Sequence, residues 1–140
     1  MSTLSPEAAN VSFLVERFAT RVRGVRSAVV VSADGLLMTM SSGLERGEAD
    51  RFAAVSASMI GLAHGSAAPF GFGAVREVVV ELEYGLILLT GISEGAVLAV
   101  LAGADCDPGL VGFEMARLVE QCGPVFTPEL RAELQGALTP

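Results

Sequence analysis

Lysine is missing from this chain of 140 residues, and all nine basic residues are arginine. No P-loop, Schiff-base or kinase-type lysine is therefore possible. Histidine occurs once, as His64, and cysteine twice, as Cys106 and Cys122. Two cysteines define neither a disulfide framework nor a zinc site. One histidine makes no metal pair, and a hydrolytic triad would have to draw it from within an alanine-rich segment. Charge is scarce as well, at 18% of residues, and what there is sums to −7. An acidic balance of that kind argues against a nucleic-acid partner. Met1 to Ala9 hold no basic stretch followed by an apolar run, so no secretory signal is expected and the cytoplasm is the default location.

The sharpest absence is local. Between Arg51 and Arg76 no side chain is charged, and only Ser56, Ser58, His64 and Ser66 interrupt the apolar and glycine residues. The first part of the segment reads as a helix, and a surface helix should carry charge on its outer face. At about 100° per residue, Phe52, Val55, Met59, Leu62, Ala63 and Ser66 share one face, which suits a core. The other face holds Ala53, Ala54, Ala57, Ser58, Gly61, His64 and Gly65, which are small rather than charged. Ala53, Ala57, Gly61 and Gly65 recur every four residues and would admit another backbone closely. Glycine inside a helix costs roughly 1 kcal/mol relative to alanine, so Gly61 calls for a packing reason. Either another segment of the same chain covers this face or a second copy does, and the second copy is the favoured reading. A membrane span is rejected. Phe52 to Ala68 sits at the short limit for a bilayer core of about 30 Å, is only modestly apolar, and lacks aromatic or basic flanks.

What is present organises into one domain, residues 1–140. Ser5-Pro6-Glu7 opens a helix, with Val11, Leu14, Val15, Phe18 and Val22 as its apolar stripe and Gly24 as its stop. Val25 to Ser32 reads as a strand, Ala33-Asp34-Gly35 as a tight turn, and Leu36 to Ser41 as the returning strand. After the charge-free helix, Pro69, Gly71 and Gly73 lead to a strand from Val75 to Tyr84. There Val78, Val80, Leu82 and Tyr84 alternate with Glu77, Val79, Glu81 and Glu83. Leu86 to Ile92 and Ala96 to Ala102 are continuously apolar, as strands buried on both faces are. Asp107-Pro108 opens a helix carrying Val111, Met115, Leu118, Val119 and Cys122. A short tail helix follows at about 128–138. Short turns make the strand pairs hairpins, and doubly apolar strands need helices on both sides. The expectation is an α/β (α+β) three-layer sandwich around a five-stranded antiparallel sheet.

No catalytic constellation survives inspection, and no cofactor or metal is implied. Gly71-Phe72-Gly73 begins like a dinucleotide fingerprint but precedes a strand and lacks the third glycine. Glu77, Glu81 and Glu83 would suit a divalent cation, yet a solvated strand face explains them more simply, and a partner's arginines would also fit them. Arg17, Arg21, Arg23 and Arg26 gather at the end of the first helix, where cations suit the helix dipole.

The segment Arg21-Val22-Arg23-Gly24-Val25-Arg26, the hairpin from Ala28 to Leu36, the long alanine-rich helix and the hairpin at Tyr84-Gly85 together resemble the roadblock (dynein light chain) family. The resemblance covers about residues 8–120 and is nearest to stand-alone bacterial members found beside small Ras-like GTPases, including those of conservon clusters. Arg23 stands where members often have proline. The resemblance implies a profilin-like topology and a homodimer joined through the second helix and third strand. Carried to this chain, those contacts are Ala53, Ala54, Ala57, Ser58, Ile60, Gly61 and His64 from the helix, with Val79 and Glu81 from the strand. Glu77 and Glu83 are left to meet a further partner. The implied function is a non-enzymatic regulator or scaffold for a small Ras-like GTPase. The alternative is a small-molecule sensor with a pocket between sheet and helix, since a face of small residues leaves room for a ligand.

Overall fold

The computed structural model describes residues 4–93 and 95–138. Helix α1 (Pro6–Arg21) begins where Ser5 accepts the Ala8 amide on its hydroxyl and Pro6 takes the first helical position. It buries Ala8, Val11, Val15, Phe18 and Ala19. Strands β1 (Val25–Ser32) and β2 (Leu37–Met40) form the first hairpin. Helix α2 (Arg46–Ala67) starts where the Glu48 carboxylate accepts the Glu45 amide at 3.0 Å. It runs into a single 3₁₀ turn, Ala68–Phe70, stopped by Gly71 in the left-handed region. Strands β3 (Glu77–Leu82), β4 (Gly85–Gly91) and β5 (Ala96–Gly103) make a meander, followed by α3 (Pro108–Cys122) and α4 (Pro128–Leu138).

The sheet order is β2-β1-β5-β4-β3, with every neighbouring pair antiparallel. Its central strands are covered on both faces. Ala28, Val30, Leu88, Leu98 and Val100 point into a core shared with α1 and α3, while Val29, Val31, Leu89, Val97 and Ala99 point into a second core under α2. This is the three-layer arrangement that the doubly apolar strands demand.

Two strands are shorter than expected. β3 begins at Glu77, which pairs with Thr90; beyond it the Arg76 carbonyl accepts the Thr90 hydroxyl at 3.0 Å, and β4 ends at Gly91, leaving Val75 without a partner on that strand. It ends at Leu82, opposite Gly85, so Glu83 and Tyr84 form the two-residue turn. Glu83 therefore does not continue the strand row of Glu77 and Glu81.

The tail helix α4 closes one side of the sheet. Its Leu130 and Leu134 join the α1/α3 core, and Leu138 reaches the core under α2. It packs against β2 and α1, so it crosses the β2 edge from one layer to the other. Two polar ties fasten it. Arg46 Nη1 donates to the Leu138 carbonyl at 2.6 Å. The Ser5 hydroxyl donates to Glu133 Oε1 at 2.7 Å, and the Ser5 amide donates to Glu133 Oε2. These bonds, the amide's first, hold the Glu133 carboxyl below its ordinary range. A group lowered in the folded state stabilises above its ordinary pKa and loses that contribution as pH falls through the lowered value. The protection of α4 amides, relative to their intrinsic exchange rates, should therefore fall on acidification below the ordinary carboxylate range before that of the central strands does. Glu133→Gln should remove that selective acid response.

Gly24 is a position only glycine serves. Its φ is +88°, and a Cβ there would lie 2.5 Å from Cys106 Cβ and 2.6 Å from Cys106 Cα. Gly24→Ala should lower stability by about 2–4 kcal/mol, combining backbone strain with overpacking. A denaturant titration should show the midpoint falling with its slope unchanged.

Candidate interaction surface

The surface of interest is built on α2. Its inward stripe is Ala49, Ala53, Ser56 and Ile60, all buried, with Phe52, Ala57 and Met59 half-buried beside them. This corrects the expected face assignment. The helix is turned by about one residue, roughly 100°, from the orientation that puts its largest side chains inward. The sheet supplies the reason. Val29, Val31, Leu37, Leu89 and Val97 already fill the layer from below. Small residues let the helix backbone settle onto them, at the density that protein interiors require.

The expected contact residues consequently separate. Ala53 is 0% exposed and Ile60 is 6% exposed, so their own chain covers both and neither is available to a partner. Ala57 is half-buried against the same core. Ala54, Ser58, Gly61 and His64 are exposed, as are Val79, Glu81, Glu77 and Glu83. The Ser58 hydroxyl turns back to the Ala54 carbonyl at 3.0 Å and does not compete for a partner. A Cβ added at Gly61 or Gly65 would meet no atom within 4 Å, which places the glycines on the open side of the helix.

The rotation brings onto the outer face two residues assigned to the core, Val55 at 47% and Leu62 at 71% exposure. Beyond the helix end, Phe70 and Phe72 stack with ring centroids 6.1 Å apart, yet stay exposed. Their signal was in the sequence: two phenylalanines in a Pro/Gly segment have no periodicity by which to be buried. On β3, the edge strand opposite β2, Val79 and Leu82 are half-exposed, and Tyr84 in the turn is exposed. The surface thus has an uncharged helix face, an aromatic loop and an open strand edge. Apolar exposure on that scale marks interaction sites, and an unpaired edge invites pairing with another chain.

Among the described residues no three of His, Cys, Asp and Glu gather where they could hold a metal ion. Cys122 lies in the core, where burial pushes its thiol up to about 11. No helix among the described residues is long and apolar enough to cross a membrane.

A five-stranded antiparallel sheet with helices on both faces defines a profilin-like sandwich of the roadblock kind. Residues 13–102 match the model of the Roadblock/LC7 domain, and the chain belongs to that family. Its structure is similar to that of a Roadblock/LC7 domain from Streptomyces avermitilis, at 37% identity and a TM-score of 0.77, covering 81% of this chain and 95% of that one. It is also similar to Myxococcus xanthus MglB, at 16% identity and a TM-score of 0.80, over 93% and 96% of the two chains. The latter likeness speaks to the fold alone. In sequence, the uncharacterized protein MJ1340 of Methanocaldococcus jannaschii is 30% identical over 107 residues, 76% of this chain and 91% of that protein. The family match ends at the last sheet strand, so α3 and α4 lie beyond it.

Proposed function

We propose that this protein is a homodimeric, non-enzymatic adaptor that binds a small Ras-like GTPase in the cytoplasm and regulates or docks it. The observation that carries this reading is the outer face of α2, uncharged from Phe52 to its end although Val55 and Leu62 stand in solvent. An isolated monomer gains nothing from such a face, whereas a dimer buries it. The open β3 edge would let two sheets join across the same contact. The GTPase partner comes from the family resemblance, and the non-enzymatic reading from the absence of any assembled catalytic group in the sequence.

The sensor alternative rested on room beneath α2. Ala49 and Ala53 there are 0% exposed, and the glycines with free space around them face outward, so no observation favours it.

Sedimentation at micromolar concentration tests the dimer, and a monomer would count heavily against the reading. Co-purification with a Ras-like GTPase encoded nearby, loaded with GDP or with a non-hydrolysable GTP analogue, tests the partner. Failure in both nucleotide states would overturn the GTPase part. A GTP hydrolysis assay on the complex separates activation from docking.

A further inference from the structure

The opposite side of the molecule carries a second surface of different character. Helices α1 and α3 run antiparallel over the sheet, and Arg21 of α1 reaches Glu114 of α3 at 2.9 Å. Between them lies a cleft of about 250 Å³ lined by Arg17, Arg21, Arg117, Glu114 and Gln121, with Leu14, Phe18 and Leu118 beneath. Four of the nine arginines, Arg17, Arg21, Arg23 and Arg117, stand on α1, on α3 or in the segment between α1 and β1, and the two helices also carry Glu7, Glu16, Glu114 and Glu120. The basic character is local to the cleft, where three arginines stand against one glutamate.

Within the cleft the arginines are poorly neutralised. Glu114 accepts from Arg21 and lies 3.5 Å from Arg117, so one carboxylate serves two guanidinium groups. Arg17 has no ion-pair partner among the described residues. Glu16, its neighbour in sequence, is turned away to the Ser42 amide and hydroxyl at 2.7 Å each. Arg21 and Arg117 keep 54% and 53% of their side chains exposed.

Apolar groups flank the arginines. Phe13 lies one turn before Arg17 on α1 and is 59% exposed. Phe113 lies one turn before Arg117 on α3 and is 60% exposed. Residues four apart share a helix face. Because the helices are antiparallel, the two phenylalanines mark opposite ends of the arginine cleft. Aromatic side chains and arginine are the types that supply most binding energy at protein interfaces.

We propose that the outer α1/α3 face docks an acidic, amphipathic segment of a partner protein. Its carboxylates pair with Arg17, Arg21 and Arg117, and its apolar side chains cover Phe13 and Phe113. Charge complementarity selects this occupant. A phosphate dianion at the centre of the cleft would confront Glu114, whereas carboxylates spaced along a segment use the outward donors of each guanidinium. A planar bilayer does not enter a cleft between two helices, whereas a single segment can lie along it. This surface lies on the other face of the sheet from α2 and does not rest on the dimer or on the GTPase reading.

The test uses a fluorescent helical peptide of about twenty residues with leucine along one stripe and glutamate elsewhere. Anisotropy is measured on the full chain at low and at moderate salt. Binding should weaken with salt. It should fall about tenfold or more for Arg17→Glu combined with Arg117→Glu, fall for Phe13→Ser, and be unchanged for Arg76→Glu beside β3. Amide shifts should map to α1 and α3. Circular dichroism melts check each variant, and Arg17→Gln with Arg117→Gln serves if the charge reversal does not fold. No peptide binding overturns the proposal, as does equal loss with Arg76→Glu or shifts confined to α2 and β3. Binding of phosphatidylserine vesicles without binding of the peptide overturns it in favour of a membrane. Self-association abolished by Arg17→Glu, without peptide binding, overturns it in favour of a second copy.

Discussion

Gly61→Arg is expected to convert the protein into a folded monomer. Gly61 sits on the open side of α2, where an added Cβ meets nothing within 4 Å. Within one chain the substitution is harmless, and it recovers up to about 1 kcal/mol of helix propensity. Across a two-fold contact its effect is large. Each copy brings a guanidinium to a surface of Ala54, Val55, Ser58 and Leu62 that offers no carboxylate. A buried, unpaired charge costs about 3–5 kcal/mol, and each 1.4 kcal/mol is tenfold in affinity, so the dimer should weaken by at least about a hundredfold. Sedimentation velocity at micromolar concentration should show the mass halved, while circular dichroism retains the helix and sheet content. Both inner cores are complete within one chain, which is why the monomer should stay folded. A variant that stays dimeric with unchanged stability would remove the outer face of α2 from the contact. Ala57→Arg is a poorer test than the sequence suggests, because Ala57 is half-buried against the sheet.

The layered fold was legible because its signals are strong and local. Ser5-Pro6 and Asp107-Pro108 mark helix starts, and in both the cap side chain accepts backbone amides as anticipated. β4 and β5 are apolar on both faces, and the structure covers both. The rotation of α2 was not legible. Reading a helix face from sequence relies on a boundary between apolar and charged residues, and this helix has none from Phe52 onward. Size was the remaining guide, and it pointed the wrong way because the space under the helix is set by strands far away in sequence. The lesson carries over to the site. Ala53 and Ile60 were drawn into the interface and belong to the core, while Val55 and Leu62 were drawn into the core and stand outside it. The role of the tail was illegible for the same reason. Leu130, Leu134 and Leu138 announce an amphipathic helix, but only the fold shows that it crosses the β2 edge and leaves β3 as the open one.

Ala53→Arg should abolish folding, and Ala54→Arg, one position on, should not. Ala53 is 0% exposed and lies in the core formed by Val29, Val31, Leu89 and Val97. That layer contains no acidic side chain, so an arginine there would be an unpaired buried charge as well as an overpacked one. The combined cost, about 5 kcal/mol or more, matches the lower range of a whole domain's stability of about 5–15 kcal/mol. Snorkelling cannot relieve it, because Ala49 before it and Ser56 and Ile60 after it are buried on the same stripe. Ala54 is exposed, and as a monomer the Ala54→Arg chain should unfold within about 0.5 kcal/mol of the parent. Its penalty should appear only in association, as for Gly61→Arg. The pair therefore reads the rotation of α2 directly through two substitutions of identical chemistry about 100° apart on one helix. Denaturant titration with sedimentation on both variants gives the answer. If Ala53→Arg folds with normal stability while Ala54→Arg does not, the inward stripe has been placed on the wrong side, and the proposed contact surface would have to move with it.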